Sequence, residues 1–344
     1  MLESVMNNAV SFAARMIQKD PGSIMGPIDS FLGYILNFIF NGVFYLTQPN
    51  SLGLTIIVFT LLVRALMAPS SVKQYKSTLI SKKLQPEIEK IKAKYGGSKD
   101  PEQQRKMNAE TQALYSQHGY NPLSGCVPLL VTMPIFFALS YLLRQPYMFI
   151  ERIGTIYEQL AVTIMQVDGY SSIIKPLSEK MVPKDMNIEF HLVTDMLKVL
   201  NGFNSNDWAK VLSEVTAVSP EIGAKLSDIL AQKVNMETFF TLNLLDTPRM
   251  AFPDLLIPIL TAGTQFLSSF YMNKTNGQTE QNQKTMQMTM LVIMPIFMAW
   301  LTFTTQMGLG IYWVCINVVM FVQQWVLTVY FRRKDKRSEI VVSA

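Results

Sequence analysis

One arginine, Arg64, lies inside an apolar run that extends from Leu52 to Ala68. A charged side chain at the centre of a membrane helix costs about 2.5–3.5 kcal/mol, so it usually faces a protein interior or a water-filled cavity. The alternative is snorkelling, because Arg64 precedes Pro69 by five residues, about 7 Å along a helix, and its long stem can reach the membrane surface. Thr60, one turn earlier, adds a second polar group to the same helix face. The run therefore predicts a membrane helix whose arginine either faces inward or reaches the interface.

Four apolar regions are long enough to supply membrane spans of about 17–25 residues. Hydrophobic residues make up 49% of the chain and charged residues 16%, against about 25% charged in soluble domains. The last region, 285–330, is too long for one span and is broken by polar residues at 304–306. We therefore predict an all-α integral membrane protein with five transmembrane helices, at 51–70, 124–145, 252–272, 286–305 and 308–331.

The first 50 residues contain one further apolar stretch, residues 31–46. Asn37 and Asn41 stand four residues apart and give it one polar edge. This pattern favours an interfacial helix lying along the membrane surface within an external N-terminal segment, 1–50. A sixth span is the competing interpretation.

The basic residues follow the positive-inside rule. Residues 71–123 hold ten Lys and Arg against five Asp and Glu, and the tail after Tyr330 is also basic. We therefore expect 71–123, the short loop 273–285 and the tail 332–344 to be cytoplasmic. The N-terminus is then outside and the C-terminus inside.

The segment 71–123 has the pattern of a helical hairpin. Its first helix is predicted to begin at Pro86 and to end at Gly96, and Asp100 followed by Pro101 is a typical start for the second. Its basic face is a candidate surface for recruiting lipid head groups, RNA or a partner; a merely solvated hairpin is the alternative. The lysines proposed for recruitment are Lys82, Lys83, Lys90, Lys92 and Lys94.

The long segment 146–251 is polar and shows helical periodicity, which predicts a small external helical subdomain. Ser219 followed by Pro220 is a helix start of the same capped kind. No catalytic set, zinc spacing or phosphate-binding loop is present in the sequence. We therefore expect no enzymatic chemistry, no cofactor, no metal and no ATP hydrolysis by this chain.

Several separate stretches, in order, resemble the YidC membrane-protein insertase family with its Oxa-type and Albino-type relatives. The start of the predicted second span carries the resemblance best, and it reads NPLSGCVPLLVTMPIFF (121–137). The others are VRALMAPSSVKQYKS (63–77), LQPEIEKIKAKYGG (84–97), ALYSQHGYNPL (113–123), MTMLVIMPIFMAWLTFTTQMGLGIYW (288–313) and NVVMFVQQWVL (317–327). The chain looks like a bacterial, Gram-positive-like member with an enlarged outer loop, and it has Thr132 where the family often has Gln.

The resemblance implies five helices around a hydrophilic groove that opens to the cytoplasm and to lipid. Arg64 occupies the position of the family's positive groove residue, and Thr60 matches a second groove position. Tyr312 and Trp313 match an aromatic pair in the last span, and Asn317 follows Trp313 by one turn. Gln265, in a polar stripe of the third span, either faces the groove or mediates helix packing, as small polar residues often do in membranes.

The function implied by the resemblance is insertion and chaperoning of nascent proteins in the bacterial cytoplasmic membrane. The expected partners are nascent membrane proteins and the lipid bilayer, with no specific nucleic-acid sequence, and the Sec translocon and the ribosome stay open as further partners. Two other functions compete. One is an anion channel or transporter that uses Arg64 as a permeant-ion site, and the other is an assembly factor inside a translocon complex.

Overall fold

The computed structural model describes residues 26–47, 49–96, 100–119, 127–179, 188–276 and 288–342, with the backbone alone for 127–131, 275–276 and 334–342. These residues are almost wholly helical. The helices are α1 (Gly26–Thr47), α2 (Ser51–Lys94), α3 (Pro101–Gln117), α4 (Val127–Arg144), α5 (Pro146–Phe149), α6 (Glu151–Met165), α7 (Tyr170–Ser178), α8 (Val193–Asn201), α9 (Ser205–Val218), α10 (Pro220–Glu237), α11 (Leu256–Asn276), α12 (Met294–Thr304, after a π-helical turn Thr289–Ile293) and α13 (Met307–Val342). Two strands, β1 (Thr238–Phe239) and β2 (Leu242–Asn243), pair as an antiparallel hairpin.

The backbone contacts divide the chain into two compact units. The first unit comprises the described residues up to Phe59 together with Pro134–Pro258 and Leu301–Tyr312. The second comprises the described residues of Thr60–Met133, Ile259–Trp300 and the segment from Trp313 onward. Five helices, α2, α4, α11, α12 and α13, each contribute residues to both units.

The helices α6, α8, α9 and α10 form the core of the first unit. Leu160, Val211 and Leu226 are completely buried there. Ser219 caps α10 by accepting a hydrogen bond from the backbone of Ile222, so the helix start predicted at this position is confirmed. The helix then continues to Glu237, which is followed by the β-hairpin.

The β-hairpin fastens the first turn of α2 within the first unit. Asn50 accepts a hydrogen bond from Phe240 N on its Oδ1, 2.6 Å away, and its own backbone N–H donates to the carbonyl of Asn235. The ring of Phe239 packs directly against Gly53, where a Cβ atom would overlap the ring. Glycine at position 53 therefore permits the close approach of hairpin and helix.

Helix α1 turns its polar edge toward protein. Asn37 Oδ1 accepts a hydrogen bond from the backbone N–H of Glu151 at 3.0 Å, and Asn41 Oδ1 accepts one from Nε of Arg152 at 2.9 Å. In the sequence, the polar edge formed by Asn37 and Asn41 suggested contact with the membrane surface. In the structure, both side chains accept hydrogen bonds from α6 instead. Apart from Thr47 at the C-terminal end, the exposed side chains of α1 are apolar or aromatic, and they include Phe31 and Phe38.

Helix α2 differs from the hairpin prediction at its first boundary. The sequence predicts a new helix beginning at Pro86, whereas α2 runs without interruption from Ser51 to Lys94 through both Pro69 and Pro86. A proline inside a helix removes one hydrogen bond and commonly bends the axis without ending it in membrane proteins. The second hairpin helix begins as predicted, because Asp100 caps α3 by accepting a hydrogen bond from Glu102 N at 3.1 Å.

Three helices are long and apolar enough to cross a membrane among the residues described. They are Gly26–Thr47, the first part of Ser51–Lys94, and Met307–Arg333. Two shorter apolar helices, Thr132–Arg144 and Thr289–Thr304, are also present. Helix α1 is 22 residues long, which is longer than the apolar stretch that led us to predict an interfacial helix. Its interfacial placement and the five-span arrangement both stay predictions.

Candidate functional site

The guanidinium-bearing Arg64 lies on a buried face of α2 in the second unit. It is 8% exposed, and Thr60, one turn before it, is 1% exposed. The opposite face of the same turns is apolar and open, since Leu62 and Leu66 are exposed. Arg64 therefore lies on a protein-covered face of an apolar helix, while leucine side chains occupy the uncovered face.

Helix α11 repeats this arrangement within the second unit. Thr261 and Ser268, two turns apart, are buried, whereas Ile259, Phe266 and Leu267 are exposed. Such an inside-out distribution is typical of a helix whose polar side chains face protein and whose apolar side chains meet lipid.

The predicted site residue Gln265 is partly buried and donates to Oγ of Ser269 at 3.3 Å, one turn further along the same helix. The neighbouring Thr264 hydroxyl donates to the carbonyl of Leu260 at 2.7 Å. These are bonds within α11, so they fit the packing interpretation of the stripe as well as the groove interpretation.

Helix α13 brings the buried Asn317 to the polar stripe of α11. Its Nδ2 atom donates to Oγ1 of Thr264 at 3.4 Å. Trp313, one turn earlier, is half-buried, and Tyr312 is almost completely buried. Tyr312 belongs to the first unit and Trp313 to the second. The structure thus joins Asn317 to α11 directly, and it buries Tyr312 more completely than Trp313.

The C-terminal half of α13 contacts α2 within the second unit. The hydroxyl of Tyr75 donates to Oγ1 of Thr328 at 3.2 Å, and the Tyr75 ring stacks on Phe331 with centroids 5.4 Å apart. The Thr328 hydroxyl in turn donates to the carbonyl of Gln324. This polar and aromatic contact was not predicted, and tyrosine and threonine at these positions give no distinctive sequence signal.

The five lysines predicted for recruitment have different surroundings. Lys82, Lys83 and Lys90 are exposed, and Lys92 is half-buried. Lys94 donates to both carboxylate oxygens of Glu110 on α3, at 3.0 Å each, and Tyr95 donates to the same carboxylate at 2.9 Å. The hydrogen bonds from Lys94 and Tyr95 lower the pKa of Glu110, and Glu110 raises the pKa of Lys94. Lys94 therefore clamps the two hairpin helices together.

The first unit contains a buried ion pair that was not predicted from the sequence. Lys233 and Glu237, one turn apart on α10, approach to 2.6 Å between Nζ and Oε2 with side chains that are 4% and 1% exposed. The Lys233 ammonium also lies 5.4 Å from the ring centroids of both Tyr157 and Trp208. Burial raises the pKa of Glu237 although Lys233 opposes that shift, and burial together with the Glu237 charge raises the pKa of Tyr157.

The four-residue spacing of Lys233 and Glu237 in the sequence indicates an ion pair, but it does not show whether the pair is buried. A Lys and a Glu four residues apart on a polar helix are far more often a solvated surface pair. Only the packing of α6 and α9 over them shows that they are buried.

The part of the chain that the structure describes contains no candidate metal site. No group of three or more His, Cys, Asp or Glu side chains there is arranged to hold an ion.

The stretch 121–137, which resembles the insertase family best, is only partly described. Its first six residues, and the side chains of the next five, lie outside the described residues. Thr132 follows them and is half-buried in α4.

Comparison with known proteins gives relatives that are named membrane protein insertases or an ALBINO3-like protein. A Bacillus cereus protein named Membrane protein insertase YidC 1 is 44% identical over 114 residues, which is 33% of this chain and 44% of the relative. A Bacillus subtilis protein named Membrane protein insertase MisCA is 45% identical over 107 residues, covering 31% of this chain and 40% of the relative. A Chlamydomonas reinhardtii protein named Inner membrane ALBINO3-like protein 1, chloroplastic, is 38% identical over 136 residues, covering 40% and 26%.

These pairwise matches span less than half the length of each relative. The family model described as 60Kd inner membrane protein, in contrast, matches residues 43–335, or 293 of the 344 residues. It includes α2 with Arg64, helix α3, helices α5 to α10 and the polar faces of α11 and α13. The chain therefore belongs to the 60Kd inner membrane protein family, the family of YidC-, Oxa- and Albino-type proteins.

Proposed function

We propose that this protein is a membrane protein insertase and chaperone that helps nascent proteins to insert and fold in the bacterial cytoplasmic membrane. The observation that carries the proposal is a buried arginine on the protein-covered face of an apolar helix, in a chain whose relatives are named insertases. A buried arginine of this kind is costly to keep in a membrane, so it is a strong functional candidate.

In the proposed arrangement, five spans surround a hydrophilic groove that contains Arg64, Thr60, Gln265, Tyr312, Trp313 and Asn317. The spans are those predicted from the sequence, at 51–70, 124–145, 252–272, 286–305 and 308–331. Residues 1–50 and 146–251 lie outside, whereas 71–123, 273–285 and 332–344 are cytoplasmic. The inward polar faces of α2, α11 and α13 support a polar interior.

The groove acts by reducing the barrier to a short polar tail. Each unsatisfied polar group in hydrocarbon costs several kcal/mol, and a water-containing groove shortens the path on which that cost applies. Arg64 attracts acidic residues of the tail and raises their local concentration. The client helix then moves into lipid, driven by burial of its own apolar surface.

The membrane potential assists this step. With the outside positive, outward movement of an acidic residue gains about 2.3 kcal/mol per charge per 100 mV. No bond is made or broken, so the protein needs neither catalytic residues nor ATP hydrolysis. The exposed lysines of the hairpin, Lys82, Lys83 and Lys90, with Lys92, are the surface proposed to meet a client complex, the ribosome or the Sec translocon. Lys94 is a weaker member of that set because its charge is engaged by Glu110.

The test uses liposomes that contain only the purified protein and a single-span client with an acidic outer tail. We expect Arg64→Ala to reduce insertion about tenfold or more, since losing one charge-assisted contact costs about 1.5–3 kcal/mol. Arg64→Lys keeps the charge and retains most of the activity. Arg144→Ala is the matched control, because Arg144 is a cation at the exposed end of an apolar helix.

The other outcomes separate the rival functions. Equal insertion by Arg64→Ala, Arg64→Lys and the unsubstituted protein would contradict the electrostatic mechanism. Absence of insertion by the unsubstituted protein, in an assay where another insertase works, would favour an assembly factor. Anion flux without a client would favour a channel.

A further inference from the structure

An open groove runs along α1 and reaches the beginning of α2 within the first unit. Its volume is about 860 Å³, and its lining includes Tyr34, Phe38, Gly42, Leu46 and Val58. This is within the range of about 300–1,000 Å³ found for small-molecule sites. The groove is therefore large enough to hold part of a lipid or another elongated ligand.

The lining is apolar and strongly exposed. Phe38 is 81% and Leu46 is 85% exposed, and Tyr34, Tyr45 and Val58 are exposed as well. The only amide side chains in the lining, Asn37 and Asn41, are engaged by Glu151 and Arg152. Exposed aromatic and aliphatic side chains at this density need a cover other than water.

The side chain of Arg152 lies at the edge of the groove and carries a positive charge. Arg152 donates from Nε to Asn41, and its guanidinium carbon lies 4.4 Å from the ring centroid of Phe44 and 5.0 Å from that of Tyr45. Asn41 and Tyr45 both belong to the groove lining.

No carboxylate forms an ion pair with Arg152 among the described residues. The rings of Phe44 and Tyr45 hold the guanidinium at cation–π distance, and its other N–H groups keep their capacity to donate.

We propose that this groove is a binding site for one membrane phospholipid, with the phosphate on Arg152 and an acyl chain along Phe38, Leu46 and Val58. The combination of one cation with planar donors and an adjoining apolar trough matches the chemistry of a phospholipid at both of its ends. A purely apolar peptide helix would match the apolar part but would leave Arg152 without an anion. The lining does not include Arg64, and the proposal does not depend on the proposed insertase activity.

Glycine at position 42 allows the acyl-chain part to be tested without disturbing the fold. A Cβ atom at Gly42 meets no other atom within 4 Å, so Gly42→Leu fills the groove while Arg152 stays in place. Gly263 on α11 is also open at its Cβ position and does not line the groove. Gly263→Leu is therefore the matched control for Gly42→Leu.

The experiment is a titration of the delipidated full chain, in detergent, with phosphatidylglycerol or with diacylglycerol of the same acyl chains, read by native mass spectrometry. We expect one phosphatidylglycerol to bind with an affinity about tenfold above diacylglycerol, as one charge-assisted contact would give. Arg152→Gln and Gly42→Leu should each weaken phosphatidylglycerol binding about tenfold. Arg152→Lys should weaken it less, and Gly263→Leu should leave it unchanged.

Three results would overturn the proposal. Equal binding of the two lipids would remove the role of the phosphate. Unchanged binding by Arg152→Gln would remove the role of the cation. Unchanged binding by Gly42→Leu would show that the headgroup binds without the groove, and melting temperatures of all variants would identify any loss that comes from unfolding.

Discussion

The buried Lys233–Glu237 pair leads to a prediction whose size follows from its burial. Lys233→Met removes the cation and leaves the Glu237 carboxylate almost completely buried. Breaking a buried pair by removing one partner typically costs about 3–5 kcal/mol. Glu237 can limit this cost by taking up a proton.

At pH 7, protonating a carboxyl whose ordinary pKa is 4.5 costs about 3.4 kcal/mol, at 1.36 kcal/mol per unit. Because burial already raises the pKa of Glu237 in the intact protein, part of this penalty is present before the substitution. We therefore expect Lys233→Met to lower the local stability of α10 by about 2–3 kcal/mol.

The expected loss depends on pH in one direction. In Lys233→Met the folded-state pKa of Glu237 rises further above its unfolded value near 4.5. The ionisation penalty is therefore absent below about pH 4.5 and grows as the pH rises through the folded pKa. The variant should approach the intact protein in stability near pH 5 and fall behind it at pH 7.

Hydrogen–deuterium exchange of the full chain in detergent measures this, because amides in α10 report the free energy of local opening. A loss of about 2–3 kcal/mol should accelerate their exchange roughly 30- to 150-fold at pH 7. The double variant Lys233→Met/Glu237→Gln, which carries no buried charge, should exchange more slowly than Lys233→Met. Lys210→Met is the control, because Lys210 and Glu214 have the same spacing on an exposed face and should contribute below about 1 kcal/mol.

Two results would refute the reasoning. One is a loss in Lys233→Met that is no larger than in Lys210→Met. The other is a loss that does not change between pH 5 and pH 7, because the cost would then not come from a buried carboxylate.

Two further predictions concern the hairpin clamp and the close approach at Gly53. Hydrogen bonds from Lys94 lower the pKa of Glu110. The stabilisation by this exposed pair should therefore be present above about pH 4.5 and be lost as the pH falls through the lowered pKa of Glu110. A double-mutant cycle of Lys94→Ala and Glu110→Gln, read by hydrogen–deuterium exchange in α3, should show a small coupling at pH 7 and none at pH 3. Gly53→Ala should destabilise the first unit by about 1–3 kcal/mol because the Phe239 ring must move, whereas Gly263→Ala, with open space around its Cβ, should not lower the melting temperature.

The sequence was sufficient to predict a helix start where a capping residue precedes a proline. Asp100 before Pro101 and Ser219 before Pro220 both predict a helix start, and both cap a helix by a side-chain hydrogen bond. The helix start predicted at Pro86 was wrong, because α2 continues through this residue. A proline lowers the stability of a helix but does not end one that neighbouring residues hold in place.

Contacts between distant segments were not predictable from the sequence. Asn37 and Asn41 indicate a polar edge, but their partners Glu151 and Arg152 lie more than a hundred residues away. Arg64 is the opposite case, since one charge in an apolar run is conspicuous by itself. Its burial agrees with an inward-facing side chain, whereas its role in a groove stays a proposal.

The continuity of α2 has a mechanical consequence. Arg64 and Lys94 belong to the same uninterrupted helix, about 45 Å apart at 1.5 Å per residue, and Lys94 is the residue that holds the second hairpin helix. A rigid rod of that length would turn a tilt of about 5° at the hairpin into a displacement of about 4 Å near Arg64. Pro69 and Pro86 are the two points between them where the rod bends most easily. The stiffness at these two prolines therefore determines how much of a pull on the hairpin of α2 and α3 reaches the buried arginine.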